Sequence, residues 1–148
     1  MSRITKSIEV DKPVRMVYNQ WTQFETFPQF MEGVENVEQM DDTHLHWKAK
    51  IGPSAREWDA EITEQKPDEV IAWRAMGDVR NDGRVEFTPV GPDKTKLDVV
   101  FDMDPEGWVE KAGDALGVID LRIQGDLNRF KEFIEDRNME TGGWRGEV

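Results

Sequence analysis

"EWDAEITEQKPDEVIAWRA", residues 57–75, sets Trp58 and Trp73 on either side of a KPDE turn at 66–69. Apolar and polar residues alternate on both arms: Trp58, Ala60 and Ile62 before the turn, Ile71, Trp73 and Ala75 after it. A period of two marks a half-buried strand, and Pro-Asp between two such runs is turn chemistry. The stretch reads as an antiparallel hairpin with its tryptophans on one face and Glu57, Asp59 and Glu61 on the other. Large rings on an inward face either fill a core or wall a cavity, and both cases predict the same parity.

The same period runs from 33 to 104. Strands are expected at 33–40, 44–51, 55–65, 69–76, 83–90 and 95–104, separated by DDT, GPS, KPDE, NDG and GPDK. Such short links imply a meander of hairpins. Parity puts Leu45, Trp47, Ala49 and Ile51 on the inner face, with Arg56 beside Trp58. Val85 and Phe87 follow, then Leu97, Val99, Phe101 and Met103.

The flanks differ in period. RITKSIEV (3–10) alternates as a first strand, with Lys6 on the face of Ile4 and Ile8. Asp11 is placed to cap a helix with Pro13 in its first turn. Val14, Val17, Tyr18, Trp21 and Phe24 form its apolar stripe, and FETFPQFM (24–31), broken by Pro28, predicts a short second helix. After the strands, Val109, Ala112, Leu116, Ile119, Ile123, Leu127, Phe130 and Ile134 recur every three or four residues. They predict one long amphipathic helix over 106–137, interrupted by Gly113, Gly117 and Gly125, each costing about 1 kcal/mol relative to Ala. Residues 1–137 thus read as one domain, and 138–148 as an aperiodic tail lying extended on the surface.

The 148 residues suit a single domain that buries roughly 70% of its unfolded surface. There is no cysteine, which excludes disulfides and thiolate metal sites. No segment approaches the length of a signal peptide's apolar run or a membrane span, so a cytoplasmic location is expected. Thirty-one acids against 19 bases give a net charge of −12, which disfavours nucleic acid and anionic membrane as partners. The densest basic run, KAK at 48–50, is short.

The catalytic signatures are weak. Asp59/Glu61 and Asp102/Asp104 have strand spacing that sets them on the solvent face, where nothing raises a carboxyl pKa. DMDPEG (102–107) begins like a calcium loop, but its twelfth position is Gly113 where a bidentate Glu is needed. His44 and His46 share a face opposite Trp47 and lack an evident third ligand, so no metal site is expected. GPDKTK (91–96) lacks the phosphate-loop pattern. Arg56, whose guanidinium cannot shed its charge, and Tyr18, the only tyrosine, remain as candidates to polarise or anchor a ligand.

The order of elements, carried by SIEVDKPVRMVYNQWTQFETFPQFM (7–31), WDAEITEQKPDEVIAWRA (58–75), GRVEFTPV (83–90) and GDLNRFKEFIEDR (125–137), resembles the START-like, or SRPBCC, superfamily. The similarity is to its bacterial polyketide cyclase/dehydrase-like branch, and ETGGWRGEV (140–148) resembles that branch's end. The resemblance implies an α+β helix-grip fold: a seven-stranded antiparallel curved sheet wrapped round a long C-terminal helix, with two short helices after strand 1. It also implies a deep cavity between sheet and helix, and family members that bind lipids, sterols, quinones, plant hormones or polyketides, only some being catalysts. The expected walls are Trp21, Phe27 and Phe30 from the short helices, and Trp47, Trp58, Ile62 and Trp73 from the central strands. Val85, Phe87, Val99 and Phe101 follow from the next strands, and Leu116 and Ile119 from the long helix. The favoured reading is binding of a small hydrophobic molecule without a cofactor. A polyketide aromatase/cyclase or dehydratase using Arg56 or Tyr18 comes second, and a ligand-free interaction protein third.

Overall fold

The hairpin at 57–75 forms the middle of the sheet. The computed structural model describes residues 2–31, 33–51, 54–76, 81–103, 115–136 and 140–146. β1 (Ser2–Val10) leads into α1 (Val14–Trp21) and a 3-10 helix (Phe24–Gln29). Then come β2 (Val34–Gln39), β3 (His44–Ile51), β4 (Ser54–Lys66), β5 (Val70–Met76), β6 (Asn81–Gly91), β7 (Lys94–Met103) and α2 (Ala115–Glu135). The seven strands make one antiparallel sheet in the order β1-β7-β6-β5-β4-β3-β2. The sheet is curved round α2, the helix-grip arrangement. β1 and β2 are its edges; β2 is six residues long and its register with β3 shifts between Val34 and Asn36.

The KPDE turn is closed by the Glu69 N–H donating to the Lys66 carbonyl at 3.1 Å. Asp68 sits at φ 63°, the left-handed conformation found at the third position of a type II turn, whose second position favours Pro. Asp tolerates that region better than most residues because its short polar side chain can bond locally. Strand alternation holds along β4 until the pairing with β5 shifts between Ile62 and Glu64. This bulge carries one extra residue, so Gln65 arrives on the inner side and is buried.

One expectation at the start of the chain is corrected. Asp11 does not cap α1: Pro13, with φ −60° and ψ 148°, is the N-cap residue and the helix begins at Val14. Lys12 precedes a proline and is driven out of the helical region, so no helix can start earlier. The Asp11 N–H instead donates to Glu135 Oε2 at 2.7 Å. Burial alone would raise the Glu135 carboxyl, but that N–H and Lys131 outweigh it and hold the pKa below the usual range. The expected second short helix is present as a 3-10 helix, with Pro28 inside it, where no N–H is available for a longer helical ladder.

α2 presents Ile123, Leu127, Phe130 and Ile134 to the sheet, all buried. Its start at 106, Val109, Ala112 and Gly113, together with the side chains of Leu116 and Ile119, lie outside the described residues, as does Asp104.

The tail is not a loose extension. Gln20 and Thr22 on the far side of α1 are buried polar residues, and burial without a partner would cost each about 1–3 kcal/mol. The tail supplies partners. Gln20 Oε1 accepts the Thr141 N–H at 2.8 Å, and Thr22 Oγ1 accepts the Trp144 N–H at 3.1 Å. Arg145 donates to Asn19 Oδ1 at 2.7 Å and to Asp68 Oδ2 at 2.8 Å, joining α1 to the KPDE turn. Polarity and aperiodicity made the segment look solvated because its partners are side chains 77 to 126 positions away.

Candidate functional site

The inner face of the sheet has two unlike halves. Toward α1 and the tail, Tyr18, Phe87, Val85, Leu97 and Val99 are buried and closed over by Phe130 and Ile134 of α2. The aromatic rings meet edge to face: Tyr18 on Phe87 at 5.2 Å, Trp21 on Phe130 at 4.9 Å, Phe30 on Phe130 at 5.1 Å. Toward the other end, where β3, β5 and β7 finish, the described side chains do not meet and leave a cavity of about 130 Å³.

Its floor is aromatic. Trp47 and Trp58 are direct cross-strand partners whose indoles stack at 6.0 Å with planes 6° apart. Trp73 packs edge-on against Phe101 at 5.7 Å. Trp73 can lie down on the sheet because its cross-strand partner is Gly83: a Cβ there would stand 2.6 Å from Trp73 Cε2. Ile62, Ile71 and Leu45 continue the floor toward the packed half. Trp21, Phe24, Phe27 and Met31 close one side, and Ile123 and Leu127 form the roof.

Among the described residues two charged side chains reach this apolar wall, Arg122 and Asp126 of α2. Asp126 forms a short ion pair with Arg129, whose Nε also donates to the Phe30 carbonyl at 2.9 Å. Arg122, half-buried one turn earlier, has no hydrogen-bond or ion-pair partner among the described residues. Lys6, on the inner face of β1, pairs with Asp120 at 2.6 Å.

Of the wall residues expected from sequence, the structure places Trp21, Phe27, Trp47, Trp58, Ile62, Trp73 and Phe101 on the cavity. Phe30, Val85, Phe87 and Val99 do not line it; they belong to the packed half, where α2 comes close enough to fill the space. Leu116 and Ile119 fall outside the described side chains. Arg56 has the expected parity and is half-buried, with Nη1 3.2 Å from the Ala55 carbonyl, but it is not on the wall. Tyr18 is buried between Phe87 and Arg145, whose Cζ stands 5.6 Å from the ring centroid, away from the cavity. Sequence reasoning missed Arg122 and Asp126. Their signal was present: Arg122 lies three residues after Ile119 and Asp126 three after Ile123, at the border of the apolar stripe.

The outer face is an ionic lattice. His46 Nδ1 lies 2.7 Å from Asp59 Oδ1 and its Nε2 3.3 Å from Glu57; His44 Nδ1 lies 2.9 Å from Asp41. Hydrogen bonding to Asp59, then to Glu57, raises the His46 pKa, and the bond to Asp41 raises that of His44. The described residues contain no group of three or more side chains arranged to hold a metal ion. No described helix is long and apolar enough to cross a membrane.

A curved antiparallel sheet gripping a long helix, with an apolar hollow between them, is the helix-grip fold. Residues 10–132 match the family described as polyketide cyclase / dehydrase and lipid transport, and the chain belongs to that family. A 17.2 kDa protein from the melC2-rnhH intergenic region of Streptomyces lincolnensis is 52% identical over 149 residues, covering 100% of this chain and 99% of that one. Among solved structures, a START superfamily protein from Mycobacterium smegmatis superposes with a TM-score of 0.78 at 15% identity, covering 90% of this chain and 97% of that one. The Zhui aromatase/cyclase from Streptomyces sp. R1128 superposes with a TM-score of 0.75 at 17% identity, covering 97% and 99%. Identities this low speak to the fold alone.

Proposed function

We propose that the protein binds a small hydrophobic or aromatic molecule in the cavity between sheet and α2. The observation that carries this reading is the hollow itself: about 130 Å³ walled by Trp47, Trp58, Trp73 and Phe101 in a domain whose other half is closely packed. Protein interiors rarely keep voids larger than a water molecule, because unfilled space forfeits dispersion contacts. An apolar cavity of about 150 Å³ stays dry and takes up benzene. The walls as they stand therefore suit about one ring, and a longer molecule would extend out of the mouth.

The aromatase/cyclase reading loses support because its two candidate residues, Arg56 and Tyr18, are not on the wall. The hollow also argues against a ligand-free interaction protein with a closed core. Titration of the wild type with single-ring aromatics tests the proposal. Trp47, Trp58 and Trp73 fluorescence should quench or shift saturably, and Trp73→Phe should reduce the amplitude. A linear, non-saturating response to every ring tried would refute it.

A further inference from the structure

We infer that the molecule held in this cavity is an acid, a single-ring carboxylate whose anionic group is received by Arg122. This rests on the cavity being a binding site. Among the described residues the wall has two charged groups, and they are in different states. Asp126 is neutralised by Arg129, which is itself held by the Phe30 carbonyl at 2.9 Å. That arrangement takes Asp126 away from Arg122, although the two lie at i and i+4 on one face of α2, a spacing at which opposite charges ordinarily pair. Arg122 is left on an apolar wall without a partner among the described residues.

A guanidinium cannot neutralise itself by losing a proton, and its planar fork of donors matches a carboxylate in bidentate geometry. In a site otherwise lined by indole, phenyl and aliphatic groups, the complementary ligand is a ring bearing one carboxylate. The overall charge of −12 does not oppose this at close range. Surface charges are screened beyond about 8 Å at physiological salt, whereas a fork beside the ligand in a partly desolvated wall acts nearly unscreened.

Benzoate and nitrobenzene decide the matter, because they share size and shape and differ in charge. Their affinities are measured by calorimetry in the wild type, Arg122→Met and Arg122→Lys. Benzoate should weaken tenfold to a hundredfold in Arg122→Met, the loss of a charge-assisted hydrogen bond. It should be largely retained in Arg122→Lys. Nitrobenzene should change less than about threefold in both variants, which also shows that the variant cavity is folded. Unchanged benzoate affinity in Arg122→Met, or an equal fall for both ligands, overturns the inference. Nitrobenzene binding without benzoate binding to the wild type overturns it while sparing the cavity. Failure of both ligands to bind the wild type overturns the inference and the binding proposal together.

Discussion

The two halves of the sheet's inner face are built from the same strands, with the same parity and much the same residue types, yet one is solid and the other hollow. In the solid half α1, the 3-10 helix and the last turns of α2 converge, and Phe130 meets both Trp21 and Phe30. In the hollow half α2 presents Ile123 and Leu127 across from Trp73, seated over Gly83, and from Trp47, stacked on Trp58. Ring orientation and helix distance, more than hydrophobicity, separate a core from a binding site.

Substituting one ring in each half tests this contrast. Phe130→Ala removes a fully buried ring and should cost about 3–5 kcal/mol in denaturant unfolding. Phe101→Ala, on the partly exposed cavity wall, should cost clearly less, because one side of the ring already faces empty space. Equal losses would mean that the hollow half is packed.

Gly83→Ala sharpens the same point without removing any wall atom. The new Cβ must displace the Trp73 indole, at about 1–3 kcal/mol for overpacking. Trp73 emission should shift and single-ring ligands should bind more weakly. Unaltered affinity would show that Trp73 is not a wall of the site.

Arg145→Met probes the solid half from outside. It deletes a hydrogen bond to Asn19 and an ion pair with Asp68 that is about 30% exposed on both sides. Solvent screening reduces the loss to about 1 kcal/mol. Ligand affinity should stay level, since the residue is remote from the cavity wall. A drop in affinity equal to that of Gly83→Ala would erase the distinction between the halves.

The smallest effect is expected on the outer face. Asp59 and Glu57 raise the His46 pKa in the folded state. The associated stabilisation is fully present below the unfolded value of about 6.5 and is lost as pH rises through the raised folded value. Thermal stability of the wild type relative to His46→Gln should therefore improve slightly on going from pH 8 to pH 6. A difference that is flat across that range would show that the histidine gains nothing from its neighbours.

Period-two alternation made the sheet legible. The sequence places each strand end within about two residues of where it lies, because each strand has a buried and a wet face. Parity was equally sound for Trp47, Trp58, Trp73 and Phe101. It could not separate these from Val85, Phe87 and Val99, since distance to α2 is a tertiary quantity with no local trace. The bulge at Ile62/Glu64 was invisible for the same reason: one added residue leaves both flanking alternations intact. Arg56 drew attention because cations on inward strand positions are conspicuous, while Arg122, on a helix border, looked like ordinary surface. The tail's contacts, made by single polar side chains to distant partners, leave no periodic mark at all.

An open sheet, unlike a closed barrel, ends in two strands that other chains could extend. At the β2 edge the short length, the register shift at Val34/Asn36 and the exposed carboxylates Glu35 and Glu38 make a poor template for strand addition. Colloidal behaviour should accordingly follow those two charges. A double Glu35→Val and Glu38→Val substitution exposes a flatter apolar rim and invites edge-to-edge polymerisation.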